Sequence, residues 1–318
     1  MKYRFCLVLG AGASVAMGYP VGNGLRTAIL EDANGRYEEF ICSDALGIDS
    51  RDINEFVDAF RASQMSSIDA FLARRGQFSE IGKRVIAAIL LDKENKDLLR
   101  SCNHNDHWYL YFFNKVAAAH DWESLSFEDV AVVTFNYDRS FEHYMLNALM
   151  NSYGRSFTEA YKKLEQMKIV HVYGVLGSYN KNEKGYFSYG DSLSQDHVSI
   201  AASRLKVIPE GRNDDPTLQQ ARELLLHSGK IAFLGFGFDE INLERLNSKE
   251  TCKNNFDAAG IYYRRKVVGT CYGMTGAEAL KAAKATASNS YERFIDIENE
   301  VFYSMGCEKM LRETLILD

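Results

Sequence analysis

YRFCLVLGAGASVAMGYP, residues 3–20, is the stretch on which the fold turns. It opens with a continuous apolar run, Phe5–Leu9, and a run that does not alternate reads as a strand buried on both faces. Gly10-Ala11-Gly12-Ala13-Ser14 then turns the chain with almost no side-chain bulk, which lets backbone N–H groups come close to an anion. Ser14 adds a hydroxyl at the start of the following helix. A strand, a glycine turn and a helix N-terminus, in that order, are how α/β proteins hold a pyrophosphate. The dinucleotide fingerprint G-x-G-x-x-G is incomplete, because Val15 stands at its third position and the next glycine is Gly18. The acid expected about 20 residues on has candidates in Glu31 and Asp32, yet Leu25–Leu30 before them reads as helix rather than strand. The stretch points to a phosphate-bearing ligand more than to an ordinary dehydrogenase.

Composition narrows the class. Hydrophobic residues at 46% and charged ones at 25% of 318 residues describe a globular chain with a real core. Acids outnumber Lys and Arg by 43 to 37, and a net charge of −6 argues against a protein that grips nucleic acid over a broad surface. Three prolines make no Pro-rich linker. With no apolar run long enough for a membrane span, and no signal-like segment after Met1–Arg4, the expected location is cytoplasmic. Six scattered cysteines (Cys6, Cys42, Cys102, Cys252, Cys271, Cys307) form no C-x-x-C pair, which disfavours a disulfide framework and a zinc ribbon.

Beyond the turn at Pro20–Gly24, a helix continues through Leu25–Glu31. Residues 50–125 then change character. Ile53–Ala62, Ser67–Arg75, Phe78–Leu91 and His107–Ala119 carry apolar residues at helical spacing with no strand between them. The expectation is one domain over 1–318, with an α/β core at about 1–49 and 126–318 interrupted by an all-helical insertion at about 50–125. The core resumes with the buried strand Asp129–Phe135, the cluster Asn136-Tyr137-Asp138 and a helix over Arg139–Met150. Ser156-Phe157-Thr158-Glu159 is a capping box. Lys168–Tyr173 reads as a strand, Asn180–Gly190 as a polar loop, and Asp215-Pro216 as a helix start. Lys230–Phe236 is another buried strand, running into Gly235–Asn242. Strand Tyr262–Cys271, helix Gly276–Ala287 and a terminal strand–helix segment close the chain. Three strands thus end in small or polar clusters, and in an open parallel sheet ligands bind beyond such carboxyl ends.

This combination resembles the sirtuin superfamily, and within it the sirtuin-like NAD hydrolases (NADases) of bacterial anti-phage defence. Gly10–Pro20 resembles the sirtuin G-A-G-x-S-x-x-x-G-I-P loop, and Thr134-Phe135-Asn136-Tyr137-Asp138 the T-x-N-x-D motif. His171-Val172-Tyr173-Gly174 resembles the segment that carries the catalytic histidine, and Leu234–Asn242 the late strand and loop that hold the adenosine half of NAD. Ser67–Leu72 resembles a helix of the defence-type proteins. The resemblance implies a Rossmann-like parallel sheet in which the helical insertion replaces the four-cysteine zinc module, so no zinc and no acyl-lysine tunnel are expected. Tyr173 stands before Gly174 where deacylases have His. On a strand, residues 171 and 173 share a face, which sets His171 one rung deeper toward the pocket.

The resemblance implies NAD+ as substrate, with Asn136 and His171 catalytic and Gly10, Ala11, Gly12, Ala13, Ser14, Thr134, Asp138, Gly235, Phe236, Asp239 and Asn242 as NAD contacts. Nicotinamide leaves as a neutral molecule from a pyridinium, so no general acid is required. An amide such as Asn136 both donates and accepts, which suits it to orienting ribose and water. His171 is the expected proton acceptor near neutral pH. Asp138 and Asp239 read equally as helix caps. The implied role is that of an NAD-depleting effector of abortive infection, restrained as a homo-oligomer or by a protein partner such as a ring-forming ATPase or an Argonaute-like protein. A non-catalytic NAD or ADP-ribose sensor and a zinc-free deacylase or ADP-ribosyltransferase stand as alternatives. Cys102–His107 has metal-like residue types but reads as a polar loop. Tyr111/Lys115 and Tyr262/Lys266 match a reductase pair by spacing alone, and Arg264-Arg265-Lys266 is a basic cluster.

Overall fold

The structure is a computed structural model that describes residues 2–101, 106–117, 120–207, 215–252, 255–256, 262–263, 265–286 and 302–318. Its centre is a six-stranded sheet: β1 (Tyr3–Leu9), β2 (Val130–Thr134), β3 (Lys168–His171), β4 (Ser228–Leu234), β5 (Lys266–Thr270) and β6 (Phe302–Tyr303), ordered β3-β2-β1-β4-β5-β6. Every neighbouring pair is parallel. β1 and β2 are buried along nearly their whole length, as strands covered on both faces must be. This is the Rossmann-like α/β arrangement expected from the apolar runs. The strand order reverses at β1, and register brings three strand ends level: Leu9 pairs with both Thr134 and Leu234, and Thr134 pairs with His171. The loops after β1, β2 and β4 therefore emerge side by side at the switch point, where open α/β sheets bind ligands.

The glycine turn leads into a short 3₁₀ helix, Ala11–Met17, closed by Gly18, and then into α1 (Gly22–Asp32). The helical region follows, with α2 (Ser50–Ser63), α3 (Ile68–Arg74), α4 (Ser79–Asp92) and α5 (Trp108–Ala117). Phe56, Phe60, Phe71 and Phe78 pack ring against ring between α2, α3 and the start of α4. α5 joins the sheet through Phe112, which meets Phe5 edge to face. No strand lies between residues 50 and 125 among the described residues.

Besides short helices at Glu38–Ile41, Lys96–Arg100 and Ser248–Thr251, the remaining helices among the described residues are α6 (Ser140–Tyr153), α7 (Phe157–Leu164), α8 (Gln195–Arg204), α9 (Pro216–Leu226), α10 (Glu240–Leu246), α11 (Gly276–Thr286) and α12 (Cys307–Thr314). α7 carries the Ser156/Glu159 capping box, and Asp215 caps α9 with Pro216 in its first turn. α8, which the sequence reading did not assign, packs against α4 and so adds a core segment to the helical layer.

One boundary differs in a way that matters. β3 ends at His171, whereas the sequence reading carries the strand to Tyr173. Gly174 takes a positive φ of 83°, and its N–H returns to the His171 carbonyl (3.3 Å), so the pleat stops there. His171 and Tyr173 consequently do not share a face. The end of the expected helix at Ala287, residues 102–105 of the polar loop, and Arg264 lie outside the described residues.

Candidate active site

Above the switch point lies a cavity of about 340 Å³, a size that suits a small-molecule site. Its walls come from the glycine turn, the start of α1, the Phe135–Asp138 segment, the loop into α10, and α3 of the helical insertion. Of the residues singled out from sequence, Gly10, Ala11, Ser14, Asn136, Asp138, Phe236, Asp239 and Asn242 line it. Gly12, Ala13, Gly235, Thr134 and His171 do not. A larger space of about 800 Å³ opens between α10 and α11, and none of the sequence-predicted residues lines it.

The glycines serve close backbone contact. Gly235 has a positive φ of 55°, and a Cβ there would stand 2.0 Å from the Ala13 nitrogen. Gly12 N–H donates to the Gly235 carbonyl (2.9 Å), Gly10 N–H to Leu234 (3.0 Å) and Ala13 N–H to Gly10 (2.9 Å). Three amides of the turn are thus bonded within the protein. The N–H of Gly235 is held in turn by Thr270 Oγ1 (2.7 Å), and the Trp108 indole donates to the Ala13 carbonyl (2.8 Å).

Asn136 joins these loops. Its Nδ2 donates to the Gly10 carbonyl (3.0 Å) and to Ser14 Oγ (3.1 Å), while its backbone N–H donates to Thr134 Oγ1 (3.0 Å). Among the described residues its Oδ1 accepts no hydrogen bond. Ser14 Oγ donates to Asp138 Oδ2 (2.8 Å), and Asp138 Oδ1 accepts from the backbone and hydroxyl of Ser140, the first residue of α6. Burial pushes the Asp138 carboxyl above the usual carboxylate range, although the Ser140 and Ser14 donors work against that rise.

His171 sits behind Asn136. It lines a separate space of about 10 Å³ with Thr134, Asp138 and Glu142. Its Nδ1 lies 3.0 Å from the Asn136 carbonyl and its Nε2 2.6 Å from Glu142 Oε1. Two acceptors on the two ring nitrogens call for a doubly protonated ring. Burial alone would lower the His171 pKa, but the Glu142 carboxylate, the Asn136 carbonyl and Asp138 outweigh it and hold the imidazole above its usual value. Glu142 escaped the sequence reading, since an acid in the first turn of a helix reads as a solvated, dipole-favoured residue.

The far wall carries three phenols. Tyr137 OH donates to Asp69 Oδ1 (2.9 Å), Tyr173 OH donates to Asn242 Oδ1, and Tyr19 OH lies 3.0 Å from Tyr189 OH. Arg245 donates to Tyr173 OH (2.9 Å), and Phe135 packs edge to face on both Tyr173 and Phe236. Asp239 caps α10 through the N–H groups of Ile241 and Asn242, so it is cap and cavity wall together. Below this wall, Arg139 and Glu94 form a fully buried ion pair (2.7 Å) that fixes the Phe187–Gly190 loop through its backbone.

Among the described residues, no group of three or more His, Cys, Asp or Glu side chains is placed to hold a metal ion. No helix among them is long and apolar enough to cross a membrane. Of the reductase-like pairs, Lys115 is engaged by Asp318 (2.6 Å). The sequence matches no protein-family model and no curated protein.

Proposed function

We propose that this cavity binds NAD+ and that the protein hydrolyses its nicotinamide–ribose bond, releasing nicotinamide and ADP-ribose. The observation that carries the reading is Asn136. Its amide nitrogen is committed to Gly10 and Ser14, which fixes the side chain, and its amide oxygen is left to accept a hydrogen bond from a ribose hydroxyl or a water. The four sequence segments that resemble the sirtuin motifs supply the same wall. His171 takes a positioning role: its ring holds the Asn136 carbonyl and ties it to Glu142.

Purified protein should release nicotinamide from NAD+, and Asn136→Ala should lower kcat by about 10²–10³ with its melting curve preserved, the scale of losing one positioned polar group at a reacting centre. His171→Ala should cost less, because Asn136 is still held through its backbone N–H by Thr134 and through its side chain by Gly10. Wild-type protein that binds NAD+ but releases no nicotinamide would replace this reading with that of a sensor module. The wider role, an NAD-depleting effector of abortive infection in the cytoplasm, restrained by self-association or a protein partner, is supported by the motif resemblance.

A further inference from the structure

We infer that the cavity is built for the cationic, ribosyl-pyridinium end of its substrate, with Asp69 of the helical insertion as the carboxylate that faces the reacting ribose. This rests on the hydrolase reading and names the group that completes it. Three carboxylates, Asp69, Asp138 and Asp239, line the cavity, and no Lys, Arg or His does so among the described residues. Three N–H groups of the glycine turn are already bonded within the protein. Such a wall attracts the cationic end of the substrate.

Asp69 is placed there by construction. Ser67 caps α3, and Ile68, Phe71 and Leu72 are buried, Phe71 within the phenylalanine cluster, which turns Asp69 and Ala70 toward the cavity. The carboxylate has no ion-pair partner among the described residues. Its Oδ1 accepts from Tyr137 OH, and its Oδ2 accepts no side-chain hydrogen bond. Asp138 spends both oxygens on Ser14 and Ser140, whereas Asp69 and Asp239 each keep Oδ2 without a hydrogen bond among the described residues; of these two, Asp69 is the one bonded to Tyr137, next to Asn136 in the chain. Burial raises its pKa above the usual carboxylate range, while the Tyr137 hydroxyl and Arg245 oppose that rise.

In the hydrolysis the C1′–N bond breaks with its electron pair going to the ring nitrogen, so nicotinamide leaves neutral and positive charge passes to C1′ and the ring oxygen of ribose. Water adds to C1′ and gives up one proton. Asp69 stabilises the developing cation and accepts that proton before releasing it to solvent.

The test compares wild type with Asp69→Asn, which keeps the shape and removes the charge, and Tyr137→Phe, which removes the donor on Asp69. Asp69→Asn should lower kcat at least 100-fold with KM changed less than 3-fold, and should abolish the acid limb of the kcat–pH profile. Tyr137→Phe should keep kcat within 10-fold and shift that limb to higher pH, because the lost hydrogen bond favoured the ionised form. A purely structural Asp69 would remove that order, with Tyr137→Phe as damaging as Asp69→Asn and the pH limb intact. In the Asn136→Ala background, NAD+ should bind more tightly than NADH, whose nicotinamide ring is uncharged, and adding Asp69→Asn should remove the preference. Wild-type turnover that survives Asp69→Asn, with its acid limb, would overturn the inference and leave the hydrolase reading standing. Absence of turnover in wild type would overturn the hydrolase reading, and equal affinity for NAD+ and NADH would then overturn the cation inference as well.

Discussion

At the scale of the residue, His171 shows how far a side chain's neighbours decide its chemistry. A histidine near its ordinary pKa is the obvious proton acceptor, and that is the role its position in the sequence suggests. Both ring nitrogens instead face acceptors, and the ring is held above its ordinary value. The linked stability follows in sign: the interaction is fully present below the unfolded pKa of about 6.5 and is lost as pH rises through the raised folded value. Denaturant unfolding should therefore show His171→Ala costing roughly 1.5–3 kcal/mol at acidic pH, with the difference from wild type shrinking as pH rises. A difference that grows with pH would mean the ring is held neutral. The place of Asn136 at the cavity was legible from the motif, because Asn with Asp two residues on after a buried strand is a local pattern. Glu142 was not, since its partnership depends on two elements meeting and its own surroundings are those of an ordinary helix start.

At the scale of the element, the apolar runs marked the parallel strands correctly because a strand covered on both faces has only one way to read. Where a strand ends is decided by tertiary turns, and Gly174, pulled to positive φ as its loop meets Arg204 and Leu205, cut β3 short of Tyr173. α8 was missed because its polar, weakly patterned sequence owes its order to packing on α4. The Arg139–Glu94 pair was equally invisible, its partners being 45 residues apart. It fixes the loop beneath the cavity with both charges out of water. Glu94→Ala leaves a guanidinium buried and unpaired, and should cost about 3–5 kcal/mol in chemical unfolding. A loss below about 1 kcal/mol would show that water reaches the site.

At the scale of the whole molecule, the cavity has one wall from the sheet loops and another from the insertion, with Ser67, Asp69, Ala70 and Leu90 facing Gly10, Asn136 and Asp239. A ligand seated there bridges the two and should stabilise them together. In the Asn136→Ala protein, NAD+ at a hundred times its Kd should add about 2.7 kcal/mol and raise a single melting transition by roughly 5 °C. A melt that splits, with one step alone responding to NAD+, would show that the ligand touches only one wall.

The same sheet order sets a schedule for synthesis. β1 precedes both of its partners, β2 and β4, in the chain, and Leu9 meets Leu234 only 225 residues later (234 − 9). At roughly 5–20 residues per second, a ribosome needs on the order of 10–45 s to deliver that partner. Until β2 is made, the apolar strand destined for the middle of the sheet has both hydrogen-bonding edges open, and its β4 edge stays open for the whole interval, a liability to mispairing in the nascent chain.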